Sequence, residues 1–410
     1  MVEYKQKLMF RRLQLIFSVF MALYPILCIY KGFYKFTIGD LGLMFFMVLG
    51  LLNLPRIDSR FGITSVFLVY TVMVFVVNLM IVQTMQISAF SSYLFRLIKL
   101  FFYLICAFTC GRSFFNTEYF QKAIIKVSVI LCLFLFFQYI AYYGMNQLFL
   151  GRLPGLEIYL DSYAEMDYEQ IYLFSFRPCS FFLEPAQFSQ YIAVPLTLVL
   201  FSTEIPKSKK ILLVSLFTLG MFLCTSGQGI FYLAVIFGIY GFLGIKNKGI
   251  TLIFFFVVVL IMIFAYKNID AVQFAVRRLL FEGDALEARV GTYKYISRME
   301  GLHYLFGYGY GVVPPNNEYF AGAPYVWYGC GLVGFLLACS MFFSMFKNAL
   351  SLKARTICVV FFVTFFVTSL FYNYMLFWYV TIIISTRGHM GLFERRSRTP
   401  VKERVQEDWC

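Results

Sequence analysis

The sequence predicts an all-α, polytopic membrane protein. Apolar residues make up 61% of the chain and charged residues only 14%, whereas a soluble domain is about half apolar and a quarter charged. The mean hydropathy is +0.76. Apolar runs of roughly 18 or more residues recur along the whole length, and each could cross about 30 Å of hydrocarbon as a helix. A water-soluble fold could not bury this much apolar surface.

We predict about twelve membrane-spanning helices in a single transmembrane domain, residues 1–410. Ten of them fall near 13–30, 37–54, 62–82, 91–110, 123–143, 186–203, 211–225, 229–245, 250–266 and 324–346. The first has a basic flank but no small-residue cleavage site, so we expect an uncleaved span. The last apolar block, 356–386, would reach about 46 Å as one helix, too long even with tilt. We expect two short helices that meet at Tyr372–Asn373–Tyr374.

The distribution of positive charge predicts the orientation. With the N-terminus inside, the predicted inner connections and the two ends carry 22 of the 35 lysines and arginines, which is the positive-inside pattern. Both termini are then cytoplasmic, and 387–410 is a basic cytoplasmic tail. The net charge of +14 therefore does not indicate nucleic-acid binding. Most cysteines lie inside spans without the spacing of a metal site or a disulfide framework.

Two long segments interrupt the spans, and both fall on the predicted outer face. They cover residues 144–185 and 267–323. Long loops are uncommon unless they are functional or disordered. Both are rich in aromatic residues and neither is of low complexity, so we expect folded, functional loops.

The first outer loop ends in a polar stretch that leads directly into a span. Pro185 suits the first turn of a helix, which places Glu184 at the helix N-terminus, where the helix dipole stabilises a carboxylate. Glu184 is then either a helix cap or a carboxylate at the membrane mouth, paired with Arg177 or acting as a base. Further polar residues follow within two turns: Gln187, Ser189, Gln190 and Tyr191. This density favours a lined cavity.

The second outer loop concentrates basic residues that could bind a diphosphate. Arginine donates several hydrogen bonds from one planar group and suits phosphate. Arg277 and Arg278 could equally reach lipid headgroups by snorkelling. Lys294 and Arg298 share a helix face, but Arg289 and Arg298, nine residues apart, reach one phosphate only if the helix breaks.

For several other polar residues the sequence allows two interpretations of their role. His303 could act as a base near neutral pH or pack among aromatic residues. Gly307, Gly309 and Gly311 alternate with tyrosines and do not match a nucleotide-binding motif, so we expect a tight turn at the membrane surface. Arg96 and Lys99 lie on one face of the fourth span, where charge is costly. They could form a structural ion pair or contact a lipid-linked anion.

Three stretches together resemble the polysaccharide repeat-unit polymerases, the O-antigen polymerase (Wzy-type) family, which is related to the O-antigen ligases. RPCSFFLEPAQFSQYIAVPL is similar to the family's Arg…Phe-x-Glu-Pro entry to a span. ARVGTYKYISRMEGLHYLFGYGYG is similar to its arginine- and glycine-containing outer loop, and NNEYFAGAPYVWYGCGLVGFLL to the segment that opens the next span. The span number and the two outer loops agree with this family.

The resemblance implies a GT-C-like, metal-independent glycosyltransferase without a cofactor in a bacterial plasma (inner) membrane. Its substrates would be oligosaccharide repeat units on undecaprenyl diphosphate, joined into O-antigen or capsule at the outer face. A chain-length regulator and a flippase of the same pathway would be partners. Glu184 or His303 would be the catalytic base. Residues matching the substrate-binding stretches are Arg177, Arg278, Arg289, Lys294, Arg298, Asn316 and Asn317. The related ligases place a His-Asn pair where this chain has Asn316-Asn317, which speaks against a base there.

Two alternatives remain. A ligase would use the same chemistry to pass finished polymer to another acceptor. A flippase or other transporter of lipid-linked oligosaccharide would have charged residues at mid-membrane and mostly short loops. Here the polar residues concentrate in the outer loops, and no internal repeat is evident, which favours an enzyme.

Overall fold

A computed structural model describes residues 2–52, 61–82, 89–159, 176–245, 292–314, 322–349, 351–368 and 373–385, with residues 320 and 370–371 and a few single positions between 249 and 273. This part of the chain is mostly helical, and its β-structure consists of two isolated bridges. Its helices are α1 (Val2–Leu27), α2 (Ile38–Leu52), α3 (Phe61–Val77), α4 (Phe90–Cys106), α5 (Thr117–Met145), α6 (Pro185–Leu200), α7 (Lys207–Leu223), α8 (Gly227–Ile239), α9 (Tyr293–Ser297), α10 (Leu302–Phe306), α11 (Ala323–Asn348), α12 (Leu352–Val367) and α13 (Met375–Ser385).

The described helices include six segments that are long and apolar enough to cross a membrane. They are Leu8–Leu27, Phe61–Met80, Phe90–Gly111, Thr117–Met145, Gly227–Gly244 and Ala323–Asn348. Helices α3, α4 and α8 reach these lengths by continuing into wider π-helical turns. The all-α membrane class is therefore confirmed. Twelve spans stay a prediction, because several helices are shorter and most of 250–266 lies outside the described residues.

The apolar block 356–386 forms two helices, as predicted. Helix α12 ends at Val367 and α13 begins at Met375. The side chain of Asn373 accepts a hydrogen bond from the backbone N–H of Met375 at 3.1 Å, which satisfies one of the free donors at the start of α13.

Two helices form the centre of the bundle. Helix α13 is buried along its whole length and α6 along nearly all of it, as expected for helices that are apolar on every face. Their rings stack where Tyr191 meets Trp378 at a centroid distance of 5.2 Å. Pro25 cannot donate to the carbonyl of Met21 in α1, and the indole N–H of Trp378 donates to that carbonyl at 2.8 Å. The proline is therefore accommodated inside the bundle.

Several connections gather at one end of the bundle, which we call the loop end. It includes residues 28–37, 146–159, 176–184, 224–226 and 292–314 and the turn between α12 and α13. The hairpin 28–37 joins the first loop through the N–H of Lys31, which donates to the carbonyl of Glu157 at 2.8 Å. The second loop joins the α12–α13 turn through the hydroxyl of Tyr310, which donates to the carbonyl of Phe371 at 3.1 Å. Both predicted outer loops thus lie at the same end. Residues 160–175, 274–291 and 387–410 lie outside the described residues.

Candidate functional site

Glu184 stands at the N-cap position of α6, as the sequence predicts. Its backbone is extended, and Pro185 follows in the first turn. The backbone carbonyl of Glu184 accepts hydrogen bonds from Gln187 and Phe188 at 3.1 and 3.2 Å, so the main chain begins the helix. The side chain makes no capping hydrogen bond and is exposed. The carboxylate is therefore available to a ligand at the positive end of the helix dipole.

Around this helix start lie side-chain polar atoms that are shielded from solvent yet have no hydrogen-bond partner within the described structure. They are Arg177 Nε, Gln187 Oε1, Thr225 Oγ1, Gln228 Oε1 and the hydroxyl of Tyr374. Buried polar groups are nearly always paired, and an unpaired one costs about 1–3 kcal/mol. Together with Glu184, these five residues form what we call the polar mouth. Its unpaired groups are suited to bind a polar ligand or water.

Direct contacts bring the elements of the polar mouth together. On one side of α6, the hydroxyl of Ser189 lies 3.2 Å from Cys224 Sγ, in the turn that also holds Thr225. On the other side, Gln190 Nε2 donates to the hydroxyl of Thr368 at 3.4 Å, just after α12. The start of α6 is thus held between the α7–α8 turn and the α12–α13 turn.

The charges of Arg177 and Glu184 shift the pKa values of groups in these two turns. Burial raises the pKa of the Cys224 thiol, and the hydrogen bond with Ser189 and the positive charge of Arg177 partly oppose that rise. Burial also raises the pKa of Tyr374, and the carboxylates of Glu184 and Asp40 raise it further. The charge of Arg177 therefore acts on the thiol in the α7–α8 turn, and the carboxylate of Glu184 acts on the hydroxyl of Tyr374.

Arg177 and Glu184 form no ion pair with each other in the described structure. Of the three roles expected for Glu184, the side-chain cap and the pairing with Arg177 are not found in the described structure, and the role of a base stays a prediction. Separate placement leaves the guanidinium free to bind an anion and the carboxylate free to accept a proton.

Residues 307–311 of the second loop, which we call the glycine-tyrosine segment, form backbone hydrogen bonds with α11 where that helix is interrupted. Gly331 has φ +67° and interrupts the helix. The N–H groups of Tyr308 and Gly309 donate to the carbonyls of Tyr328 and Gly329 at 3.0 and 2.9 Å. The predicted tight turn is present, since the N–H of Val312 donates to the carbonyl of Gly309 at 3.1 Å. The segment satisfies carbonyls that the broken helix leaves open, and its position at the membrane surface stays a prediction.

His303 lies in α10, directly before this segment. Its Nδ1 lies 3.3 Å from the carbonyl oxygen of Gly307, and its ring stacks on Tyr308 at 4.3 Å. A carbonyl oxygen can only accept, so the hydrogen bond requires the proton on Nδ1 and leaves Nε2 as the basic nitrogen. These contacts favour the packing role for His303.

Arg96 reaches the same segment from α4. Its Nη1 donates to the carbonyl of Gly311 at 2.7 Å. The sequence predicts either an ion pair or an anion site for Arg96 and Lys99. For Arg96 the observed bond indicates a structural role in fixing the second loop.

The remaining predicted site residues divide into two groups. Lys294 and Arg298 are exposed at either end of the short helix α9, and Lys294 lies 5.5 Å from the ring centroid of Tyr295. Arg278, Arg289, Asn316 and Asn317 lie outside the described residues, as does Arg277. The predicted diphosphate clamp is therefore untested in its main members.

Sequence reasoning missed Thr225, Gln228 and Tyr374 in the polar mouth, and it missed the buried carboxylate of Asp40. Asp40 accepts hydrogen bonds from the hydroxyls of Tyr24 and Tyr103 at 3.3 and 3.0 Å and from the N–H of Thr37 at 3.1 Å. The Asp40 N–H donates in turn to the Thr37 hydroxyl at 3.1 Å. The spacing Thr37-x-x-Asp40 is the signal that could have found this capping box.

Comparisons with protein families and with curated sequences find no match for this chain. Among the residues that the structure describes, the polar mouth combines a carboxylate without an ion pair, a guanidinium and several unpaired amide and hydroxyl groups at the start of a central helix. This set can bind a hydroxyl-rich, anionic ligand and accept a proton from one of its hydroxyls.

Proposed function

We propose that the chain is a polymerase that joins undecaprenyl-diphosphate-linked oligosaccharide repeat units into a surface polysaccharide, O-antigen or capsule. The observation that carries this proposal is the Glu184 carboxylate, which neither caps α6 nor pairs with Arg177 in the described structure. The residues of the polar mouth supply donors and acceptors for sugar hydroxyls beside it. The resemblance of three sequence stretches to repeat-unit polymerases supplies the substrate class.

In the proposed reaction, Glu184 takes the proton from a hydroxyl of the acceptor's terminal sugar. That oxygen attacks the anomeric carbon of the donor glycan, and the bond from this carbon to the donor diphosphate breaks. The diphosphate leaves with the bonding electrons on its lipid carrier. Arg177 and the second-loop residues Lys294, Arg298 and Arg289 stabilise the developing negative charge. His303 stays the second candidate for the base.

The proposal sets the loop end on the outer face of a bacterial plasma membrane and both termini in the cytoplasm. The distribution of lysine and arginine supports this orientation. Lipid-linked glycans would reach the polar mouth from the outer leaflet, delivered by a flippase, and a chain-length regulator would control the product.

A transporter is the alternative that one structural feature favours. Transporters often place a discontinuous helix at the substrate or ion site, and α11 is interrupted at Gly331. However, three consecutive carbonyls at the break are occupied: those of Tyr328 and Gly329 by the second loop, and that of Cys330 by the hydroxyl of Tyr70 at 2.9 Å. These three carbonyls are therefore already hydrogen-bonded within the protein, which argues against an ion site formed by them, and we favour the polymerase as the function.

A deletion strain distinguishes these functions. Loss of a polymerase should leave single repeat units on the outer leaflet, whereas loss of a flippase should leave them on the inner leaflet. Loss of a ligase should leave lipid-linked polymer of full length. Labelling of lipid-linked glycans in intact and permeabilised cells, followed by size analysis, distinguishes the three outcomes. Complementation of the deletion strain with the Glu184→Gln variant should fail if the polymerase assignment is correct.

A further inference from the structure

Two lysines in or beside the loop end have no acidic partner among the residues that the structure describes. Lys99 lies in α4 with only 7% of its surface exposed, and Lys35 lies in the hairpin 28–37. Within the described structure, no carboxylate oxygen lies within 4.0 Å of either ammonium nitrogen. Lys31 in the same hairpin differs, because its ammonium pairs with Glu157 at 2.8 Å.

Both ammonium groups contact the same aromatic ring. Lys35 Nζ lies 5.5 Å from the ring centroid of Phe95, and Lys99 Nζ lies 5.1 Å from it. The ring of Tyr159, from the first loop, lies 5.0 Å from Lys99 Nζ on a second side. Cation–π contacts compensate part of the cost of burying an ammonium. They do not neutralise two like charges that share one ring.

The nearest buried carboxylate is already engaged. Asp40 accepts hydrogen bonds from Tyr24, Tyr103 and the backbone of Thr37, and it forms no ion pair with Lys99. Its single negative charge also cannot balance two lysines. The cluster therefore keeps a net positive charge in a largely dehydrated place, where a bound anion would lower the free energy.

The hairpin indicates which anion reaches this cluster. At its tip, Phe33 and Tyr34 are 75% and 67% exposed, although they adjoin apolar helices. Exposed aromatic residues at the end of spanning helices are typical of the membrane–water interface. That level holds the phosphate groups of lipids, and lysines near it attract them.

We propose that Lys35 and Lys99, with the rings of Phe95 and Tyr159, bind the phosphate group of a membrane lipid at the loop end. The aromatic walls contact the apolar part next to the phosphate, and the two ammonium groups supply the charge. This site shares no residue with the polar mouth, so it does not depend on the polymerase assignment.

Native mass spectrometry of the full chain tests this site with three probes: a polyprenyl monophosphate, phosphatidylglycerol and phosphatidylcholine. We expect Lys35→Gln and Lys99→Gln each to weaken binding of an anionic lipid by about fivefold, since one lysine contributes about 1 kcal/mol. Preference for the polyprenyl probe would identify a carrier lipid. Equal binding of both anionic probes would identify ordinary anionic phospholipid.

The matched control is the double variant Lys31→Gln/Glu157→Gln, which removes a paired lysine from the same hairpin without changing the net charge. It should bind like the unaltered chain. Thermal unfolding shows whether Lys99→Gln folds, and the less buried Lys35→Gln serves if it does not. Unchanged lipid binding in a folded Lys35→Gln variant would overturn the proposal, as would equally tight binding of inorganic diphosphate without lipid.

Discussion

The backbone N–H of Gly309 donates to the carbonyl of Gly329 at 2.9 Å, which joins the second loop to α11 where that helix is interrupted. A Cβ on Gly331 would lie 2.2 Å from the carbonyl oxygen of Leu305. The break and the glycine-tyrosine segment therefore depend on each other. The break leaves helix carbonyls without intrahelical partners, and the N–H groups of the segment donate to those carbonyls.

Gly331→Ala should destabilise the protein by at least about 2 kcal/mol, because alanine meets both a left-handed φ and a backbone clash. Thermal unfolding in detergent measures the effect. Gly238→Ala in α8 is the control, since a Cβ there meets nothing within 4 Å, and it should be neutral or slightly stabilising. Equal stability of the two variants would contradict the role assigned to Gly331.

Tyr70→Phe should cost about 1 kcal/mol, since the carbonyl of Cys330 loses the hydroxyl that donates to it. Tyr143 is 65% exposed and is the matched control, because its replacement by phenylalanine should leave stability within about 0.5 kcal/mol. The midpoint of thermal unfolding compares the two. An unchanged midpoint for Tyr70→Phe would mean that water satisfies Cys330 equally well.

Tyr374→Phe should lower polymer formation while leaving stability unchanged or slightly higher. The Tyr374 hydroxyl is buried without a partner in the described structure, so its removal ends a desolvation penalty. Tyr103→Phe should behave in the opposite way, since its hydroxyl donates to Asp40 and its loss should cost stability. Polymer formation and thermal unfolding are measured on both variants. They distinguish Tyr374, which we expect to bind the ligand, from Tyr103, which we expect to stabilise the fold.

Arg177→Lys should reduce activity strongly, because an ammonium cannot reproduce the planar guanidinium that binds a phosphate through two nitrogens. Arg152 of the first loop is exposed and lies outside the polar mouth, so Arg152→Lys is the control. We expect at least a tenfold loss of initial rate for Arg177→Lys and less than twofold for the control. Similar rates for both would remove Arg177 from the site.

The sequence was sufficient to predict the long apolar helices that the structure describes, because a long apolar run can adopt few other structures in a membrane. It also predicted the break in the last apolar block, where length alone excludes one helix. Arg177 and Glu184 could be named because they are charged residues directly before a span.

Other parts of the site were beyond sequence reasoning. Gln228 lies in an apolar helix and Tyr374 directly before one, and only tertiary packing brings their elements to the start of α6. The kink at Gly331 lies in an apolar run where glycine is common. The pairing of Gly309 with Gly329 is a long-range backbone contact that no local pattern encodes.

Polymer formation by the purified chain tests the central claim most directly. Full-length protein is incubated in detergent or nanodiscs with lipid-diphosphate-linked repeat units, and the products are separated by size. We predict a ladder of lipid-linked polymers from the unaltered chain and from the control Glu118→Gln, whose carboxylate pairs with Lys122. Glu184→Gln should fold normally and give only the starting single units. A full ladder from Glu184→Gln, or none from the unaltered chain, would contradict the account.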